Sequence, residues 1–238
     1  MAWRTAFGAV LIAMALPLAA AGNAAASTPS CPHPPDIDPA DFGGPIDNPY
    51  FPLKPGTTYK YKGNDGGDPA VELVTVTHDT KEIEGVTTTV VKDQLFVKGK
   101  LAEDTDDWYA QDNDGAVWYF GEDTKELDKH GNVVSTEGSW EAGVNHAKAG
   151  IFMPAQPQAG QVFQQEYAKD VAEDCFKVVR LNASVDVPYV SSNHALETKE
   201  WTPLEPGVFD HKKYVRRVGL ARDQGPDDLV ELVSVKTS

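Results

Sequence analysis

The sequence predicts an all-β protein built from antiparallel, strongly curved sheets or half-barrels, and three observations point there. Short runs rich in β-branched and aromatic residues recur at about ten-residue spacing from Thr57 onward, turn residues bound them, and no sustained helical period interrupts them. A first set comprises Thr57 to Lys62, Val71 to His78, Thr87 to Val91, Gln94 to Val97, Trp108 to Gln111 and Val117 to Phe120. A second comprises Val162 to Tyr167, Cys175 to Leu181, Ser184 to Val187, Ala195 to Trp201, Lys212 to Val218 and Leu229 to Val235. The segment Gly150 to Pro157 between them reads as irregular. Each set opens alike, with Pro55-Gly56-Thr57-Thr58-Tyr59 against Ala159-Gly160-Gln161-Val162-Phe163. A weak internal duplication would produce this, and so would the general frequency of such turns before aromatic strands.

The domain boundaries follow from composition. Residues 1–26 read as a secretory signal peptide: Arg4 precedes an apolar stretch from Ala6 to Ala21, and Ala24, Ala25 and Ala26 offer a small-residue cleavage site. Pro17 interrupts the stretch, which argues against a membrane-spanning helix. Residues 27–56 form a proline-rich arm that cannot hold a helix or a central strand. Ile46, Tyr50, Phe51 and Leu53 equip the end of this arm to pack on the body, while Ser27 to Asp38 is expected to be mobile. Residues 57–149 and 150–238 then form two β units packed as one body.

The chain of 238 residues carries a net charge of −15 at pH 7. That sign argues against nucleic acid and anionic membrane surfaces as partners, since both select basic patches. An exported, released protein that is not integral to the membrane is expected. Cys31 and Cys175 are the two cysteines, and in an oxidising compartment they are expected to form a disulfide.

Five segments carry a family resemblance: Pro52 to Tyr59, Asp107 to Asp112, Val117 to Glu122, Gly138 to Gly143 and Thr198 to Gly207. Together they resemble a family of secreted bacterial all-β proteins for which no activity is known to carry over. The Tyr214 to Ala221 segment is similar to the close of curved-sheet envelope proteins but departs from it in sequence, so the resemblance implies a fold rather than an activity.

The densest cluster of polar and aromatic side chains lies between Asp104 and Asp123. Asp114-Gly115 suits a two-residue hairpin turn, which would set Tyr109 opposite Phe120 and Gln111 opposite Trp118. Asp112-Asn113-Asp114-Gly115 resembles part of a calcium loop, but Ala110 and Gly121 stand where the anchoring ligands of an EF-hand belong. A looser calcium site would gather Asp104, Asp106, Asp107, Asp112 and Asp114; the alternative is a solvated acidic turn, with no cofactor. The six histidines are scattered without metal-ligand spacing. No nucleophile elbow and no phosphate-cradling glycine loop occurs.

Glycoside hydrolysis needs two carboxylates beside aromatic platforms, and Glu141, Glu166 and Glu200 each adjoin an aromatic residue. The favoured reading is a noncatalytic binding or accessory protein of the envelope or extracellular space. Its ligand would be a small molecule, glycan or peptide meeting Trp108, Trp118, Tyr119, Trp140 and Trp201 on a concave apolar face. A carbohydrate-active hydrolase and a calcium-stabilised structural protein are the rival readings.

Overall fold

The computed structural model describes residues 31–238; the signal-peptide reading of 1–26 lies outside the described residues. In chain order the strands are β1 (Thr57–Asp65), β2 (Asp68–Ile83), β3 (Val86–Val97), β4 (Lys100–Gln111), β5 (Val117–Leu127), β6 (Val133–Ser135), β7 (Trp140–Glu141) and β8 (Lys148–Met153). They continue as β9 (Val162–Gln164), β10 (Glu166–Tyr167), β11 (Cys175–Asp186), β12 (Ser191–Trp201), β13 (Asp210–Val215), β14 (Gly219–Gln224) and β15 (Leu229–Thr237). All belong to one 15-stranded antiparallel sheet, ordered β10-β8-β5-β4-β3-β2-β1-β15-β14-β13-β12-β11-β9, with β6 and β7 branching from β5. Among the described residues no helix is long and apolar enough to cross a membrane.

Two five-strand meanders, β1–β5 and β11–β15, meet where β1 pairs with β15. At the other side the segment Val162–Tyr167 joins both ends of the sheet. Its first part, β9, pairs with β11, and its second part, β10, pairs with β8. The sheet is thereby a nearly closed barrel. Alternation along each strand sends one set of side chains inward, as in the buried positions Tyr59 and Tyr61 of β1 and Val74 and Val76 of β2.

Closure depends on backbones passing closer than a side chain permits. A Cβ on Gly150 would lie 2.4 Å from the Gln165 carbonyl oxygen at the closing segment, and one on Gly63 would lie 1.7 Å from the Leu229 carbonyl oxygen where β1 crosses β15. Gly150 is also why the segment reads as irregular in sequence, although its first half belongs to β8.

Several other boundaries differ from expectation. The two runs around Lys92-Asp93 fuse into β3 because Asp93 is tolerated on the inner face. β14 escapes notice because Leu220-Ala221-Arg222-Asp223-Gln224 lacks β-branched residues. The β4–β5 turn holds Gly115 at φ 95° within Asp112–Ala116, with Asp112 N–H donating to the Ala116 carbonyl. This longer turn and a bulge after Asp107 set Tyr109 opposite Tyr119 and Gln111 opposite Val117, one residue away from the predicted register.

The proline-rich arm covers the barrel end that carries this turn. Gln111 Oε1 accepts from the Asp47 and Asn48 amides, and Asn48 Nδ2 donates to the Gly115 and Pro154 carbonyls. Tyr50, Phe51 and Leu53 are buried there, with the Phe51 ring 5.4 Å from Tyr109 and 4.6 Å from Phe152. From Cys31 onward the arm is fastened to the body: Cys31 is disulfide-bonded to Cys175, and Asp36 pairs with Lys148 at 2.7 Å.

Two outcomes follow for stability. Replacing Gly150 by alanine is expected to cost about 1–3 kcal/mol through overpacking at the closing segment, read as a lower Tm by differential scanning calorimetry. The disulfide spans 144 residues, so chain entropy sets a ceiling of about 5 kcal/mol on its contribution. Cys31→Ser/Cys175→Ser should melt below the oxidised protein, and denatured, unreduced protein should titrate no free thiol.

Candidate functional site

The barrel interior contains far more acid than base. Among the described residues eleven Asp or Glu residues are buried, whereas Lys212 is the single buried Lys or Arg. Their placement follows from strand alternation. On the inner face of β4, Glu103, Thr105, Asp107 and Tyr109 are fully buried; on β5 the corresponding residues are Glu126, Thr124, Glu122 and Tyr119.

The register sets Glu103 opposite Glu126, Thr105 opposite Thr124 and Asp107 opposite Glu122. Two like-charged pairs thus face each other across one ladder, an arrangement that costs stability if both members are ionised. Below the deeper pair, Tyr109 and Tyr119 stack at 4.7 Å, and Trp140 meets Tyr119 edge-on at 5.6 Å.

Hydrogen bonding satisfies this ladder in part. Thr105 Oγ1 lies 3.0 Å from Glu103 Oε1 and 2.7 Å from Thr124 Oγ1, and the Tyr119 hydroxyl donates to Asp107 Oδ1 at 2.5 Å. Among the described residues, Glu103 Oε2, Asp107 Oδ2 and both carboxyl oxygens of Glu122 meet no hydrogen-bond donor. Asp93, on the neighbouring strand, is buried close enough to Glu72 for the two carboxyl groups to interact electrostatically.

The facing wall supplies the buried cation. Lys212 Nζ lies 2.8 Å from Glu200 Oε2 and 3.7 Å from Asp223 Oδ2, while Glu200 Oε1 accepts from Thr198 Oγ1 at 3.0 Å. Burial opposes the charge on Lys212, but Glu200 and Asp223 outweigh it and hold the ammonium well above its ordinary pKa. Its field also reaches Asp107 across the interior.

At the end away from the arm, this interior opens to solvent. A cavity of about 20 Å³, room for about one water molecule, is lined by Asp65, Glu72, Asp210, Asp223 and Asp228 among others. It adjoins an open depression of about 830 Å³ whose rim includes Asp65, Glu205, Asp227 and Asp228. Acidic groups therefore run from the surface past Glu72 and Asp93 to Asp107 and Glu122.

Burial raises the carboxyl pKa values here because the charged form loses hydration. It takes Glu103 to about 8, with the Thr105 bond opposing. Asp107 is pushed to about 7, with the Tyr119 bond opposing. Burial and then Glu72 drive Asp93 well up, and burial and then Glu166 do the same to Glu122. At the mouth, burial and Asp228 raise Asp65 to about 7.

The residues singled out from sequence are dispersed. Trp108 lies under Lys81 Nζ, 3.3 Å from the ring centroid, and Lys81 pairs with Glu141 at 2.7 Å in a partly exposed cluster. Glu141 is thus not brought to Glu166 and Glu200, both of which are buried. Trp118 donates Nε1–H to Asp112 at the hairpin turn, and Trp201 is buried opposite Cys175. Of the aromatic set, Tyr119 and Trp140 meet, with ring centroids 5.6 Å apart.

The proposed calcium ligands are also separated. Asp104 and Asp106 pair with Lys92 at 3.4 and 2.8 Å, Asp107 points inward to Tyr119, and Asp112 Oδ1 accepts from the Asp114 and Ala116 amides of its own turn. Asp114 is part of that exposed turn. Among the described residues, no three His, Cys, Asp or Glu side chains converge as a metal would require. Sequence reasoning missed Glu72, Asp93, Glu103, Glu122 and Lys212; the available signal was an acid at alternate positions inside otherwise β-forming strands.

No family model matches the chain, and no curated protein matches it. A crystal structure of a "putative lipoprotein" from Parabacteroides distasonis ATCC 8503 is similar over 79% of this chain and 98% of that one, at 13% identity and a TM-score of 0.42.

The raised carboxyl groups bind protons in the folded chain that the unfolded chain has already released. Their stabilising contribution is complete below their ordinary pKa values near 4 and is lost as pH rises through about 7 to 8. Tm should therefore fall between pH 6 and pH 9. A loss of about 2 kcal/mol corresponds to roughly 4–8 °C for a chain of this size. Glu103→Gln should flatten that profile, measured by calorimetry at constant ionic strength.

Proposed function

We propose that this protein is an extracytoplasmic binding protein that takes up a cationic ligand through the acidic mouth of its barrel. The observation that carries the reading is the excess, among the described residues, of buried carboxyl groups over the single buried cation, Lys212. A buried carboxylate is costly without a counter-charge, and a ligand cation can supply one where the described residues supply only Lys212. The acidic rim around Asp65, Asp227 and Asp228 favours the approach of positive charge. Location outside the cytoplasm is supported by the Cys31–Cys175 disulfide and by the apolar N-terminal stretch.

The test is a thermal-shift and calorimetric titration of the disulfide-bonded chain lacking residues 1–26. Probes are calcium, magnesium, tetramethylammonium and spermidine at low ionic strength. A bound cation raises Tm with concentration by linkage, about 2.7 kcal/mol at one hundred times its Kd. At least one probe is expected to do so, and the effect should weaken in the mouth variant Asp65→Asn/Asp228→Asn. Unchanged melting with all four probes would remove the reading.

A further inference from the structure

We infer that the deep acidic pair Asp107–Glu122, together with the outer pair Glu103–Glu126, forms a binding track for a linear aliphatic polyamine that enters ammonium first. The inference rests on the cation-binding reading above and specifies the ligand class.

Three observations select this chemistry. First, Glu122 is buried with both carboxyl oxygens lacking a donor among the described residues; one oxygen each of Asp107 and Glu103 is in the same state. These are acceptors facing one another across a single ladder, and an alkylammonium brings three N–H donors and a positive charge. Second, the acids do not converge to metal-ligand geometry, whereas hydrogen bonds from an ammonium tolerate acceptors spread across two strands. Lys212 already shows an ammonium held inside this barrel, by Glu200 and Asp223. Third, the Tyr109–Tyr119 stack and Trp140 form an aromatic floor next to the deep pair, and aromatic faces attract cations and accommodate methylene groups.

Spacing defines the ligand further. Asp107 and Glu103 lie four residues apart on β4, as do Glu122 and Glu126 on β5, so the two acidic pairs are about 13 Å apart along the strands. Thr105 and Thr124 occupy the interval. A single ammonium can bridge the two carboxyl groups of one pair; a linear molecule with separated ammonium groups can bridge both pairs. The small cavity at the mouth is lined by Asp65, Glu72 and Asp228, so an ammonium entering there meets carboxyl groups first.

The experiment is isothermal titration calorimetry of the disulfide-bonded chain without residues 1–26. The ligands are spermidine, an α,ω-diamine series from three to ten carbons, and calcium. Spermidine is expected to bind one per chain, and diamine affinity should rise with chain length. Glu122→Gln and, separately, Asp107→Asn should each weaken spermidine at least tenfold. Glu141→Gln, which alters an acid paired with Lys81 on the outside, should leave affinity within twofold. Both inner variants replace a buried carboxyl group by its neutral amide, and their Tm verifies folding.

Spermidine binding that is equal in the wild type and both inner variants, or affinity indifferent to diamine length, would overturn the polyamine track. Calcium binding without amine binding would overturn the track and leave the cation reading standing. Absence of binding by every probe would remove both.

Discussion

Closure of the sheet by one short segment is the constraint on which the interior depends. Val162–Tyr167 pairs with β11 on one side and with β8 on the other, so six residues convert an open curved sheet into a nearly closed barrel. Inward positions that would face water on an open sheet become buried. The pKa shifts, the Lys212–Glu200 pair and the acidic ladder of β4 and β5 all follow from that enclosure. A carboxyl group on a half-open sheet would keep its hydration and its ordinary acidity.

The two ends of the barrel have different chemistry. Toward the arm, Tyr50, Phe51 and Leu53 pack beneath Tyr109 and Phe152, and the arm's backbone is anchored through Gln111 and Asn48. This end is apolar and sealed. Toward the β1–β2 and β14–β15 turns, Asp65, Asp227 and Asp228 surround an opening. The ladder between them changes from aromatic to acidic within a few residues, so polarity is graded along the barrel axis.

Much of the fold was legible because β-branched and aromatic runs between turns are local signals. The central strands and the antiparallel character came from such signals, and the disulfide from the presence of just two cysteines. The closing role of Val162–Tyr167 did not, because pairing one segment with two distant edges leaves no local trace. The hairpin register was missed by one residue because Asp114-Gly115 suggests a two-residue turn, while Asp112 side-chain bonds stabilise a longer one. The site was less legible still. Nothing local marks the acids at Asp93, Glu103 and Glu122 as inward-facing, and only the barrel shows that they are buried. The tryptophans attracted attention by size, yet most of them serve packing.

The pairing of β1 with β15 has a consequence for how the chain reaches its native state. Thr57 and Thr237, whose hydroxyls lie 3.1 Å apart, are separated by 180 residues. Contacts of that sequence separation form late and slow folding. During synthesis the first meander therefore exists with an unpaired β1 edge until the last strand has emerged. Such an edge is prone to pairing with other chains. Delivery across a membrane in an unfolded state, followed by folding once the whole chain is free, would keep that edge from persisting at high local concentration. The order of strands thus favours post-translational rather than vectorial folding.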